Sequence, residues 1–244
     1  MKLRIARNQM DNFIFDVDGT LTPSRQEIVP QFREYFKHFC DEHAVYLVTG
    51  SDYAKTLEQL GPEICNKVKR IYNCSGNDVW EKGVNVRTNE WTLPEDAHEW
   101  LSEQLTASAF PLRTGLHFEH RPGLVNFSIV GRNATLGERK LYVEWDTEHN
   151  EREVISHNFN KLFKELEARP GGETGIDIAP EGANKSQIIN DFTKYEWINF
   201  FGDRMDPAGN DYPLGSIIKY GMAYHVKDWM DTWERLRAYT DYGK

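Results

Sequence analysis

Two hydrophobic rhythms alternate along the first third of the chain. The unbroken apolar runs Phe13 to Phe15 and Ala44 to Val48 predict strands buried on both faces. Between them Ile28, Phe32, Tyr35, Phe36 and Phe39 recur at helical spacing, so Ile28 to Cys40 is expected to pack one face on a sheet. A second helix carries Tyr53, Leu57 and Leu60, with Ser51 or Asp52 as cap and Gly61-Pro62 as stop, and a third strand follows near Arg70 to Asn73. This β-α-β-α-β opening predicts a parallel sheet with right-handed crossovers.

The rhythm changes after Trp80. Gly83 to Thr92 alternates valines with polar residues, like a hairpin, and Pro94-Glu95-Asp96 opens a helix through Leu105. His117 to Glu119 and Leu124 to Val130 read as strands around the turn Arg121-Pro122-Gly123. Ile155, Phe159, Leu162, Phe163 and Leu166 mark a second long amphipathic helix, and a strand Thr174 to Ala179 turns Ile176 and Ile178 inward. That leaves Gly175 and Asp177 together on its other face. Such a mixture predicts a separate α+β insert over residues 82–182. The parallel pattern then resumes: Asn184 caps a helix with Ile188, Ile189 and Phe192, Trp197 to Phe201 and Tyr220 to Tyr224 are strands, and a last helix packs through Trp229, Trp233 and Leu236. Residues 1–81 and 183–244 are thus expected to form one α/β core.

Composition narrows the partners. A chain of 244 residues with 39% hydrophobic content can bury a substantial core, as one large domain or two small ones. Its formal charge of -9 argues against nucleic acid and anionic membranes, so an anionic substrate has to be captured by locally placed arginines. Cys40, Cys65 and Cys74 form neither an even disulfide set nor a Cys-x-x-Cys pair, which predicts core cysteines in a reducing compartment. The opening Met1-Lys2-Leu3-Arg4-Ile5 lacks the long apolar stretch of a signal peptide. A cytoplasmic protein is expected.

The chemistry centres on the first strand's end, where Asp16 and Asp18 stand two positions apart before Gly19. Ligands of open α/β sheets bind at that edge, and two carboxylates there can share a cation while one acts as nucleophile and the other carries a proton. A plain Asp-x-Asp-Gly turn is one competing reading. A calcium loop is another, with Asp16, Asp18, Thr20 and Glu27 at its first, third, fifth and twelfth positions. It fails because the sixth position, which needs glycine, is Leu21, and because a strand precedes it.

Asp16-Val17-Asp18-Gly19-Thr20 after a strand, Thr49 after a second, Lys185 at a later helix start and Gly202-Asp203 after another strand resemble the four motifs of the haloacid-dehalogenase superfamily of phosphotransferases. The resemblance implies a Rossmann-like α/β core with an inserted cap of the IIB type. It implies Asp16 as nucleophile, Asp18 as proton carrier, Thr49 and Lys185 on the phosphate oxygens, and Mg²⁺ held by Asp16, the Asp18 carbonyl, Asp203 and Asp211. Leu21 to Gln26, Gly50-Ser51-Asp52-Tyr53 with Glu58 to Gly61, Glu119 to Asn126, Gly131-Arg132 and Gly171 to Asp177 narrow the similarity to eukaryotic-type phosphomannomutases. From that family follow a distal-phosphate site of Arg121, Arg132 and Arg139 assisted by Arg25, and sugar contacts from Ser51, Asn126, Gly175 and Asp177. A sugar bisphosphate activator, a small sugar phosphate as substrate and a homodimer joined through the caps follow as well. Three departures stand out: Gly175 replaces the family's serine, Pro122 an asparagine, and Tyr212 to Ile218 lacks the acidic segment of a second metal site. A sugar-phosphate phosphatase and a non-catalytic metabolite-binding protein are the alternatives to a mutase. The intact set of Asp16, Asp18, Lys185 and Asp203 speaks against the last, since binding needs no nucleophile.

Overall fold

The computed structural model describes residues 11–241. Met1 to Ile5, on which the reading of a missing signal peptide rests, lie outside them. The elements run β1 (Asn12–Phe15), α1 (Pro30–Glu42), β2 (Ala44–Val48), α2 (Tyr53–Lys67), β3 (Arg70–Asn73), β4 (Asp78–Glu81) and β5 (Val84–Thr88). Next come α3 (Glu95–Ala107), β6 (Phe118–Arg121), β7 (Leu124–Phe127), α4 (Leu136–His149), α5 (Glu151–Leu162), β8 (Leu166–Gly171) and β9 (Gly175–Pro180). The chain closes with a 3₁₀ helix (Lys185–Asp191), β10 (Ile198–Gly202), α6 (Tyr212–Ile217), β11 (Gly221–His225) and α7 (Trp229–Asp241).

A seven-stranded sheet in the order β11-β10-β1-β2-β3-β4-β5 forms the core, parallel from β11 to β3. Strand β1 lies between β10 and β2 and is buried along its whole length. Its aromatic residues meet those of α1: Phe13 stacks edge-on with Phe39 and Phe15 with Phe36, centroids 4.9 and 5.2 Å apart. Each such ring, fully buried, contributes about 1.5–3 kcal/mol. The register sets the site, because Phe15 stands opposite both Phe201 and Leu47. The residues that follow these three therefore leave the sheet at one edge, bringing Asp16, Thr49 and Asp203 together.

A second, four-stranded antiparallel sheet in the order β6-β7-β9-β8 covers that edge. Period-two alternation divides its faces. Val125, Phe127, Ile176 and Ile178 face a buried core with Leu101, Tyr142 and Phe159 of the helices. Glu119, Asn126, Asp177 and Arg169 stand opposite one another across the four strands as one polar row.

Several predicted elements are corrected. The hairpin expected to open the insert at Gly83 pairs β5 with β4 in the core sheet, because β4 turns back antiparallel along β3. Gly61-Pro62 does end the helix that Asp52 caps, as predicted: Gly61 leaves helical geometry at φ 79°, and a second helical stretch carries α2 on to Lys67. The long helix ending near Leu166 is shorter, α5 stopping at Leu162, and is preceded by the unpredicted α4. Leu166 instead begins β8, an edge strand whose mixed composition hid its alternation. The element capped by Asn184 is 3₁₀ and not α-helical. All three cysteines are free and buried, as predicted.

Candidate active site

Asp16, on β1's end, is buried, and its Oδ1 accepts from Lys185 Nζ at 2.7 Å. The same ammonium donates to Asp211 Oδ1 at 2.7 Å, while Asp211 Oδ2 accepts the Arg204 N–H at 3.0 Å. Asp16, Asp203 and Asp211 each offer one carboxylate oxygen within 4.8 Å of the others. Burial, together with the charges of Asp211 and Asp203, holds the Asp16 carboxyl well above the usual range despite Lys185. Asp203 is pushed up to about 7 by burial and by Asp211. For Lys185, burial acts downward, and the carboxylates of Asp16 and Asp211 outweigh it and raise its pKa. Three carboxylates facing one ammonium leave excess negative charge in a poorly solvated place. A hard, oxygen-seeking divalent cation fits that donor set.

The Asp18 carboxylate is fastened apart from this cluster. Its Oδ1 accepts the Arg25 N–H and Gln59 Nε2, the latter at 3.0 Å, and its Oδ2 accepts Ser51 Oγ at 3.3 Å. Gln59, fully buried on α2, also reaches Thr22 Oγ1 at 3.1 Å. It was not singled out as a site residue from sequence, where a glutamine on a helix carries no signal of its own.

The four-stranded layer supplies the other wall of a cleft that Asp16, Asp18 and Thr49 line from the core. Glu119 accepts from Arg121 at 2.9 Å and from Arg132 Nε. Burial would raise the Glu119 pKa, but the two guanidiniums bring it down to about 2. Burial and the neighbouring Arg121 charge lower Arg132 to about 10, and burial followed by Arg25 lowers Arg139. Arg139, buried on α4, meets Glu173 only at 3.6 Å and leaves its Nε and Nη1 without partners. A buried guanidinium in that state is costly unless an anion arrives. Arg121 differs: its Nη1 donates to the Gly50 carbonyl, so in this structure it joins the four-stranded sheet to the Thr49–Ser51 loop.

Between the walls, Asp177 Oδ1 accepts Asn126 Nδ2 at 2.7 Å and its Oδ2 accepts Asn210 Nδ2 at 3.4 Å. The amide oxygens of Asn126 and Asn210, with Ser24 Oγ and Thr174 Oγ1, line the same cleft, buried and unpartnered. Such atoms suit a polyhydroxylated ligand. At Gly175 a Cβ would come within 2.4 Å of Asn126 Nδ2, so the serine the family carries has no room here without moving that amide. Asn210 and Ser24 were missed from sequence because only the fold brings them to the cleft.

A family model described as eukaryotic phosphomannomutase matches residues 32–240. The chain belongs to that family. It is 32% identical over 236 residues to human phosphomannomutase 1, covering 92% of this chain and 90% of that one. It is 31% identical over 217 residues to the phosphomannomutase of Drosophila melanogaster, covering 83% and 85%. The fold also resembles the C-terminal domain of Candida albicans trehalose-6-phosphate phosphatase, with TM-score 0.61 at 15% identity over 94% of this chain and 91% of that one. A haloacid dehalogenase-like hydrolase from Bacteroides thetaiotaomicron aligns with TM-score 0.52 at 14% identity, over 93% and 100%. These structural likenesses show the haloacid-dehalogenase fold. As a phosphomannomutase-family member the chain is an enzyme of the phosphomannomutase type, which accounts for an acidic cluster and an arginine-lined wall meeting in one cleft.

Proposed function

We propose that the enzyme moves a phosphoryl group between C1 and C6 of a hexose, mannose being the first candidate, through a phosphorylated Asp16. The observation that carries this reading is the pairing of the two walls: the acids and Lys185 on one side, and on the other Arg139 with unpartnered buried nitrogens beside Arg132. A mutase needs both, because its bisphosphate intermediate places one phosphate at the acids and the other at a fixed distance. In the first half-reaction Asp16 attacks phosphorus, the bond to the sugar oxygen breaks, and Asp18 gives that oxygen a proton. In the second, the free hydroxyl of a hexose monophosphate, whose own phosphate lies in the distal site, attacks the phosphorus on Asp16 while Asp18 takes its proton, and the Asp16–phosphorus bond breaks to give the sugar bisphosphate. Thr49 and Lys185 hydrogen-bond the phosphoryl oxygens as charge gathers on them.

Asp16, Asp203 and Asp211, with the Asp18 carbonyl, would hold Mg²⁺, which when bound offsets the phosphate's charge against the incoming carboxylate. Arg25, Arg121, Arg132 and Arg139 are assigned to the distal phosphate, and Ser51, Asn126, Asp177 and the floor at Gly175 to the sugar. The four-stranded unit is read as the substrate-binding cap, and a cytoplasmic homodimer through the caps completes the reading. Among the described residues no helix is long and apolar enough to cross a membrane.

The decisive experiment incubates mannose 1-phosphate and glucose 1-phosphate with a catalytic amount of sugar bisphosphate and Mg²⁺, following hexose 6-phosphate and free phosphate together. Isomerised sugar with little free phosphate is the expected result. Stoichiometric free phosphate without isomerisation would replace the mutase by a sugar-phosphate phosphatase.

A further inference from the structure

After β3 the chain passes through three successive residues in the left-handed region, Cys74 (φ 49°), Ser75 (φ 58°) and Gly76 (φ 96°). Two of these carry a Cβ and adopt that region rarely, so surrounding contacts must hold them there. The contacts are specific. The Cys74 N–H donates to the Ser51 carbonyl at 2.9 Å and the Ser75 N–H to the Thr49 carbonyl at 2.8 Å, which ties down both ends of the Thr49–Ser51 loop. On the other side the Ser75 carbonyl accepts Gln187 Nε2 at 2.8 Å. Gln187 lies two residues beyond Lys185 in the same 3₁₀ helix. A Cβ on Gly76 would fall 2.9 Å from Ile188 Cγ2 and 3.0 Å from Gln187 Cγ, so the turn rests directly on that helix.

Backbone geometry explains the strained conformation. In an extended residue the N–H and C=O point toward the same neighbouring strand, as in a hydrogen-bonded antiparallel pair. In a helical one they point opposite ways along the axis. The left-handed turn therefore gives Ser75 two-sided reach, with its N–H on the Thr49 loop and its carbonyl on the Lys185 helix.

We infer that Ser75 and Gln187 are positioning residues that set the separation of Thr49 and Lys185. The inference rests on the phosphoryl-transfer reading, in which those two side chains grip the migrating phosphoryl group. Their grip tightens in the transition state, so a lost separation lowers kcat more than it alters KM. Removing a single donor from such a site typically costs on the order of 10²–10³ in kcat. An indirect effect is expected to be smaller, roughly tenfold to a hundredfold.

The test measures kcat and KM for mannose 1-phosphate, with sugar bisphosphate and Mg²⁺, together with thermal melting, on four variants. Gln187→Ala removes the donor, and Gln187→Glu keeps its volume while replacing the donor by an acceptor. Ser75→Val puts a β-branched residue where the left-handed region is least tolerated, and Ser75→Asn puts one that tolerates it. The expected result is a loss of kcat at nearly constant KM for both Gln187 variants and for Ser75→Val, with Ser75→Asn recovering most of the rate. Three outcomes would overturn the inference: unchanged kcat, equal losses for Ser75→Asn and Ser75→Val, or losses that follow the fall in melting temperature in every variant. A wild-type enzyme without turnover on any phosphate ester would instead remove the phosphoryl-transfer reading, and this inference with it.

Discussion

Asp16 and Asp18 are two residues apart in sequence, yet their surroundings differ. Asp16 is buried against Lys185 in the acidic cluster, whereas Asp18 is held by three donors from outside it, the Arg25 N–H, Gln59 and Ser51. Asp16→Asn is expected to abolish turnover while leaving the melting temperature close to wild type, because the amide cannot accept the phosphoryl group. Asp18→Asn should lower kcat by roughly 10²–10⁴-fold, the usual worth of a general acid and base. Rates near wild type in either variant would reassign its role. Glu119 has a different fate, since its two arginines hold it at about 2, below the usual carboxylate value. A depressed pKa contributes stability that is complete above the unfolded value and is lost as pH falls through the folded one. The wild type should therefore lose on the order of 2 kcal/mol between about pH 4.5 and pH 2 through this residue, once solvent screening is discounted. Denaturant titrations across that range should find this part of the acid limb absent in Glu119→Gln.

Among the secondary-structure elements, the hairpin β6–β7 and the helix α4 bring three arginines to the cleft by unlike means. Arg121 ends β6 and donates to the Gly50 carbonyl, Arg132 follows β7, and Arg139 stands in the second turn of α4 behind the Thr135–Glu138 capping box. Replacing Arg132 or Arg139 by alanine should weaken use of a sugar bisphosphate by about 1.5–3 kcal/mol, the worth of a charge-assisted pair. Hydrolysis of a small aryl phosphate, which has no distal phosphate, should fall less. Arg121→Ala should affect both substrates, because it also releases the Thr49–Ser51 loop from the cap sheet. Equal losses on both substrates for Arg132→Ala would give that arginine a structural part only.

At the scale of the whole molecule, the cleft exists only where the core sheet's carboxyl edge meets the polar row of the cap sheet, so activity requires both layers in register. The dimer implied by the family resemblance has a concrete form to test. Leu136 and Leu141 on α4 and Val154 on α5 are exposed, at 60%, 53% and 52%, on the cap's helices. Sedimentation at micromolar concentration is expected to report two chains, and Leu141→Glu to shift the mass toward one. A wild type that sediments as a single chain would end the dimer reading.

The sequence by itself determined the buried strands, the amphipathic α1 and α7, and the residue set at the sheet's edge, because apolar runs, helical periodicity and motif spacing are local properties of the chain. It also pointed to a polar face at Asp177, from simple alternation about Ile176 and Ile178. The tertiary structure alone decided where β5 belongs, since an alternating polar segment pairs equally well in either sheet until its neighbour's direction is set. Only the tertiary structure, likewise, brought Gln59 to Asp18 and Asn210 to Asp177, across 41 and 33 residues of chain. Such contacts depend on strand order and register, which no local pattern encodes.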